Sequence, residues 1–426
     1  MTLTSRERVR LALGHREPDR VPVDLGGALM SGMHVSTVYA IRQALGLDPP
    51  GTPVKVVEPY QMLGEIKPDL QDAVHADVVG IIGRRTFFGF ANEGWKPWTL
   101  FDDTPVLVPE GFNTAPEPSG DVLLYPQGDR TAPASGRMPK DGFYFDAIIR
   151  QPPVDDATLS VEDNLEEFGS IADADLEHYQ REVKAARANT DKAIFLSYGG
   201  LSVGDIAIVP GVGLKHPKGI RDIEEWYLSA VTRPAHIYKI FERQCEIGLK
   251  NLARIYEAVG DDVDILFISG TDFGAQGGTL INPRIYRELY QPFHRRVNEW
   301  VHRHTPWKTL IHSCGSVRAL LNDFIVAGFD ILNPVQCSAA GMDPRELKKE
   351  FGAQLVFWGG GADTQRTLPF GTPEEVRREV CERIQVFAPG GGFVFNPIHN
   401  VQAGTPVENL LAMYDALQEY GRYPIS

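Results

Sequence analysis

The chain has 426 residues, of which 43% are hydrophobic and 23% charged, a composition that builds a large globular core. Its formal charge of −14 sets nucleic acid aside, because binding to a phosphate backbone rests on clustered Lys and Arg. No run approaches the roughly 18 apolar residues that span a bilayer, and the charged opening MTLTSRERVRLALGHREPDR is unlike a signal peptide, so no membrane association is expected and the cytoplasm is the expected location.

Taken in chain order, short β-branched apolar runs occupy residues 20–27, 76–83, 192–200, 263–270, 308–315, 329–334, 354–361 and 391–397. Most of the later intervals carry helical signals: RDIEEWYLSAV, the long segment from Ala235 to Val259, NPRIYRELYQPFHRRVNEWVHRH, SVRALLNDFIVAG, DPRELKKEFG and TPEEVRREVCERIQVFA. Buried strands alternating with amphipathic helices imply a parallel sheet covered by helices. A count of eight favours a closed (β/α)8 TIM barrel over an open doubly wound sheet. The chain is therefore expected to be one barrel domain over residues 1–426. The rhythm breaks between Gly83 and Lys192, a gap far longer than one crossover helix needs. Its Pro-, Gly- and aromatic-rich sequence predicts an insertion over 84–190 after the second strand, made of short strands and a helical return. A lid over the substrate and an oligomer contact are equally open roles for it. Phe87, Phe88, Trp95 and Trp98 are expected either to wall an aromatic substrate or to form the insertion's own small core.

Chemistry in such barrels sits at the C-terminal ends of the strands. The candidates there are Asp24 after the first strand, Tyr198 after the third, and Asp272 and Gln276 after the fourth. His312 and Cys314 follow at the fifth, Gln336 at the sixth and Asn396 with His399 at the eighth. His312 and Cys314 stand two residues apart, so on a strand both side chains point to the same side. They read either as two ligands of one cation, with His399 as third, or as a buried thiol beside a hydrogen-bonded core histidine. The remaining cysteines, Cys245, Cys337 and Cys381, are too sparse for a disulfide framework.

The segments SGTDFGAQGGTLINPRIYRELYQPFHRRV, IHSCGSVRALLNDFIVAGFDILNPVQ, LVFWGGGADTQRTLPFGTPEEVRREV and APGGGFVFNPIHNVQAGTPVENLLAMYDAL, with the opening TSRERVRLALGHREPDRVPV, resemble the uroporphyrinogen decarboxylase superfamily. Within it the chain looks like the corrinoid-linked methyltransferases, in which His-x-Cys and a distant Cys bind zinc. The resemblance implies the barrel fold, a zinc ion (Zn2+) held by His312, Cys314 and His399, and a corrinoid (cobalamin) as methyl carrier. His399 stands where those enzymes have their last cysteine, and Gln336 where they have an acidic residue. Imidazole in place of thiolate leaves the ion more electropositive, which suits stabilising a departing oxygen better than activating a thiol. The decarboxylase activity itself is disfavoured, because no arginine lies between Arg20 and Arg42 to grip a carboxylate-rich substrate.

The expected reaction is methyl transfer between a small methylated compound (aryl methyl ether, methylamine or thiol) and the corrinoid, with O-demethylation as one form of it. Asp272 and Tyr198 are its expected catalytic groups, and Asp24, Gln276, Gln336 and Asn396 its expected substrate contacts. No Asp-x-His-x-x-Gly signature is present, so the corrinoid is expected on a partner protein or free in solution. The resemblance also suggests a homodimer. A barrel that binds a small ligand without corrinoid is the alternative of a different class.

Overall fold

The computed structural model describes residues 3–425. Seven parallel strands lie side by side in the order of the chain: Val78–Ile81, Ala193–Ser197, Ile265–Ser269, Lys308–His312, Ile331–Asn333, Val356–Trp358 and Phe393–Val394. All six pairings between them are parallel. The eighth stave is the segment 21–24. Val23 forms a parallel bridge to Phe395, whose N–H donates to the Pro22 carbonyl at 2.8 Å. On its other side the Val23 carbonyl accepts the Asp77 N–H at 2.7 Å. The staves thus close on themselves, and each of the eight apolar runs read from the sequence contains one.

Alternation along each strand divides the apolar residues into two cores. Val78, Ala193, Phe195, Ile265, Leu310, Ile331, Val356 and Val394 point into the lumen, where the rings of Phe195 and Trp358 meet edge to face at 5.7 Å. Their neighbours Ile194, Leu196, Leu266, Ile311, Leu332 and Phe357 point outward under the helices. The helix Ser5–Leu13 closes the bottom by adding Val9, Ala12 and Leu13 to the inner cluster. Thr4 and Glu7 cap it reciprocally, as Ser/Thr-x-x-Glu sequences do. Below the strands, the fully buried Asp77 carboxylate accepts from Arg8 at 2.6 Å, Arg20 at 2.7 Å and the Val23 N–H at 2.9 Å. The N-terminal arm is thereby pinned to the barrel floor.

Over the opposite end sit two small sheets. One pairs Leu63–Gly64, Val54–Glu58, Pro105–Val108 and Lys96–Thr99 in that order; the other is an antiparallel meander of Thr114–Pro116, Val122–Leu124, Gly136–Met138 and Asp146–Ala147. The first sheet mixes segments from before and after the second barrel strand, since Val54 pairs in parallel with Val106. The stretch 84–190 therefore builds the meander by itself and also lends two strands to a sheet shared with residues 54–64. It ends in the helix Asp173–Asn189, where a helical return was expected. No helix among the described residues is long and apolar enough to cross a membrane.

Candidate metal centre and cavity

His312 is the last residue of its strand, and Gly315 turns the chain away with φ +81, pressed against the Gly274 backbone where no side chain fits. Cys314 is left at the rim with its Sγ 3.3 Å from His312 Nε2. His399 arrives from the loop after the last strand, its ring centroid 5.3 Å from that of His312. Ligand atoms of His312, Cys314 and His399 all lie within 4.8 Å of one another, within reach of one cation.

Each imidazole is oriented by an amide behind it. The Asn333 amide donates from Nδ2 to the Trp358 carbonyl at 2.8 Å, so its Oδ1 faces His312 Nδ1 at 2.6 Å and accepts a hydrogen bond from its N–H. Asn400 donates to Gln61 Oε1 and presents Oδ1 to His399 Nδ1 at 2.5 Å. Both rings therefore carry their proton on Nδ1 and turn the Nε2 lone pair toward the cluster, the arrangement that second-shell partners impose on metal-binding histidines. Burial pushes His312 down to about 4; His399 is also pushed to about 4, by burial and then by its neighbour His312. The two rings are neutral near pH 7 and available as ligands. The Cys314 thiol is held well above its ordinary range, first by burial and then by Asp272, which accepts the Cys314 backbone N–H at 2.7 Å. A cation is what would make a thiolate stable there. The donor set of two neutral imidazoles and one thiol, with a hydrogen-bonded second shell, fits zinc.

His312, His399 and Asp272 form part of the wall of a cavity of about 340 Å³ at the C-terminal mouth of the barrel. The rest of its wall includes residues from outside the barrel strands: Met30, Glu58, Arg85, Phe87, Tyr179 and Asp205. A wider cleft of about 630 Å³ adjoins it and shares Arg85, Phe87 and Tyr179. Tyr198 stands in that outer cleft, its hydroxyl accepting from Asn251 Nδ2 at 2.7 Å, and is not on the inner wall.

The four expected substrate contacts lie off the inner cavity. Asp24 is buried and accepts the Trp358 indole N–H at 2.8 Å and the Gly27 N–H at 2.8 Å; burial pushes it up to about 6. Gln276 is exposed and donates to Gln365 at 2.9 Å. Gln336 is buried and accepts the Gly315 N–H at 2.6 Å, which braces the His-x-Cys turn. Asn396 donates to the Asp24 carbonyl at 3.3 Å and keeps a buried Oδ1 without a partner. Among the four aromatic candidates only Phe87 faces the cavity. Phe88 packs with Phe90 and Phe145, Trp98 packs on Phe112, and Trp95 lies under Lys55.

Two carboxyl groups of the cavity escaped the sequence reading. Asp205 accepts from Ser202 Oγ and the Ala207 N–H, each at 3.0 Å, and burial pushes it up to about 6. Glu58 accepts the N–H groups of Tyr60 at 2.8 Å and Gln61 at 2.7 Å. The one signal for Glu58 was a carboxylate closing the run VKVVE, which reads as a solvent-facing end when the partner strand is unknown.

A closed (β/α)8 barrel with a candidate metal centre at its catalytic mouth defines the class. Residues 218–420 match the family model described as Uroporphyrinogen decarboxylase (URO-D). A methyltransferase from Methanosarcina mazei is similar in fold: 14% identical, with 98% of this chain and 99% of that one covered at a TM-score of 0.54. A galacturonate dehydratase variant from a Geobacillus species aligns at 12% identity over 62% of this chain and 66% of that one, with a TM-score of 0.24, too low to bear on the fold. No curated protein sequence matches the chain.

Proposed function

We propose that the chain is a metal-assisted methyltransferase that moves a methyl group between a small methylated substrate and a corrinoid. The observation that carries this reading is the convergence of His312, Cys314 and His399 within 4.8 Å, beside a cavity of a size suited to a one-ring molecule. Zinc held by these three would supply Lewis acidity to the atom from which the methyl group departs. The protein's own part is orientation and exclusion of water. Asn333 and Asn400 aim the imidazoles, Asp272 fixes the Cys314 backbone, and Phe87 and Met30 line the space for the donor. Tyr198 would meet a donor in the outer cleft. Asp24, Gln336 and Asn396 would act as a frame behind the site, and Gln276 would act on its outer surface.

The corrinoid is a co-substrate that arrives free or on a partner protein at the open mouth. The carboxyl groups of Asp205 and Asp272 on the cavity wall make it a poor host for a carboxylate-rich porphyrinogen, which favours methyl transfer over decarboxylation. The test is a panel of aryl methyl ethers, methylamines and methyl thioethers mixed with reduced cobalamin, followed by its absorbance. Methylation of the cobalamin by at least one donor, abolished in His312→Ala, is expected. No methylation by any donor with zinc-loaded protein would refute the proposal.

A further inference from the structure

Resting on the methyl-transfer reading and extending it, we propose that Glu58 is the acid that protonates the departing oxygen, and that the methyl donor is accordingly an aryl methyl ether. The first support is the register of its strand. In Val54–Glu58 the buried positions alternate as Val54, Val56 and Glu58, so a carboxyl group occupies a place where the pattern calls for a third apolar residue. The second is a bulge. The pairing with Leu63–Gly64 shifts register between Val56 and Glu58, a device that re-aims a side chain, and here the side chain lines the cavity that His312 and His399 also line.

The third support is its surroundings. Glu58 is 2% exposed, its hydrogen-bond donors are the two backbone N–H groups of Tyr60 and Gln61, and no ion pair to it is found among the described residues. Burial outweighs both of those bonds and pushes the carboxyl up to about 7, so the proton is retained near neutrality. A buried carboxylic acid of this kind, facing a cavity, has the properties of a general acid. Phe87, Tyr179 and Phe267 on the same cavity suit an aromatic ring.

In the step, the bond between the methyl carbon and the ether oxygen breaks and its electron pair stays on the oxygen. The methyl carbon bonds to the cobalt of the reduced corrinoid through the cobalt's own electron pair. The Glu58 proton passes to the oxygen, giving a neutral phenol and a Glu58 carboxylate that solvent reprotonates. A quaternary ammonium donor would release a neutral amine and need no such acid.

Glu58 has a competing structural role, because it caps the loop carrying Gln61, which holds Asn400 and through it His399. The experiment separates the two. Methylation of reduced cobalamin is measured for wild type and Glu58→Gln with two donors, anisole and 4-nitroanisole, alongside zinc content. Loss of about 10²-fold or more with anisole, a change of only a few-fold with 4-nitroanisole, whose phenolate leaves without a proton, and unchanged zinc are expected. Equal slowing of both donors, slowing of neither, or loss of zinc from the variant would overturn the role given to Glu58. Transfer by wild type from amines or thioethers but from neither ether would overturn it too, while leaving methyl transfer intact. Transfer from no donor of any class would refute the methyl-transfer reading itself.

Discussion

The two walls of the cavity have different origins. The barrel wall carries His312, His399 and Asp272, with Cys314 beside them, on strand ends and the loops that follow, whose positions are set by the eight staves of the barrel. The roof wall carries Glu58, Phe87 and Asp205 on a bulged strand and irregular loops, fixed by pairings distant in sequence. A regular frame can hold ligand atoms to the tolerance a metal requires. An irregular roof can vary, and it is where selection among donors belongs. The barrel wall should therefore govern whether the protein works at all, and the roof what it works on.

The largest effect should come from His312→Ala, which removes one of the three proposed metal ligands. Methyl transfer should fall by about 10³-fold or more for every donor, as read by the absorbance of reduced cobalamin. A variant that lost one donor and kept another would place the donor selectivity on the wrong wall. Behind it, Asn333→Ala leaves the His312 Nδ1 proton without its acceptor, and zinc affinity should drop by about 10- to 100-fold in competition with a chelator. On the roof, Phe87→Ala should raise KM for an aromatic donor by about tenfold, the equivalent of roughly 1–2 kcal/mol of apolar contact, with zinc content unchanged.

A separate effect concerns stability. The folded-state value of Glu58 lies near 7, above its ordinary 4.5. The stability tied to its protonated form is thus fully present below about 4.5 and is lost as pH rises through about 7, with a slope of at most about 1.4 kcal/mol per pH unit. In urea denaturation from pH 5 to 8, the stability of wild type relative to Glu58→Gln should decline in this way, since the other titrating groups are common to both.

The same contrast explains what could be foreseen. Strand periodicity needs only local sequence, so the eight staves and the placement of His312, Cys314 and His399 on one rim were legible from apolar runs and the polar residues after them. The amides behind the imidazoles were partly legible. Asn333 ends a strand and stands out, whereas Asn400 gains meaning only through Gln61, far away in the chain. Asp24 looked like a substrate contact, yet the barrel closes so that Trp358 claims it, a partnership between the opening stave and the sixth strand after it. Tyr198 follows its strand as expected, but Asn251 on the long helix Pro234–Val259 draws its hydroxyl into the outer cleft. Glu58 was invisible because the face a strand residue takes depends on its partners, here Leu63–Gly64 and Pro105–Val108, and on a bulge that local sequence does not announce.

The central claim is that His312, Cys314 and His399 form one metal centre. Its most direct test is the zinc content of the purified protein after equilibration with zinc and removal of excess, compared between wild type and His399→Ala. About one zinc per wild-type chain and almost none in His399→Ala is the predicted result. A wild-type chain that holds no zinc, or a His399→Ala variant that holds it as tightly as wild type, would contradict the account.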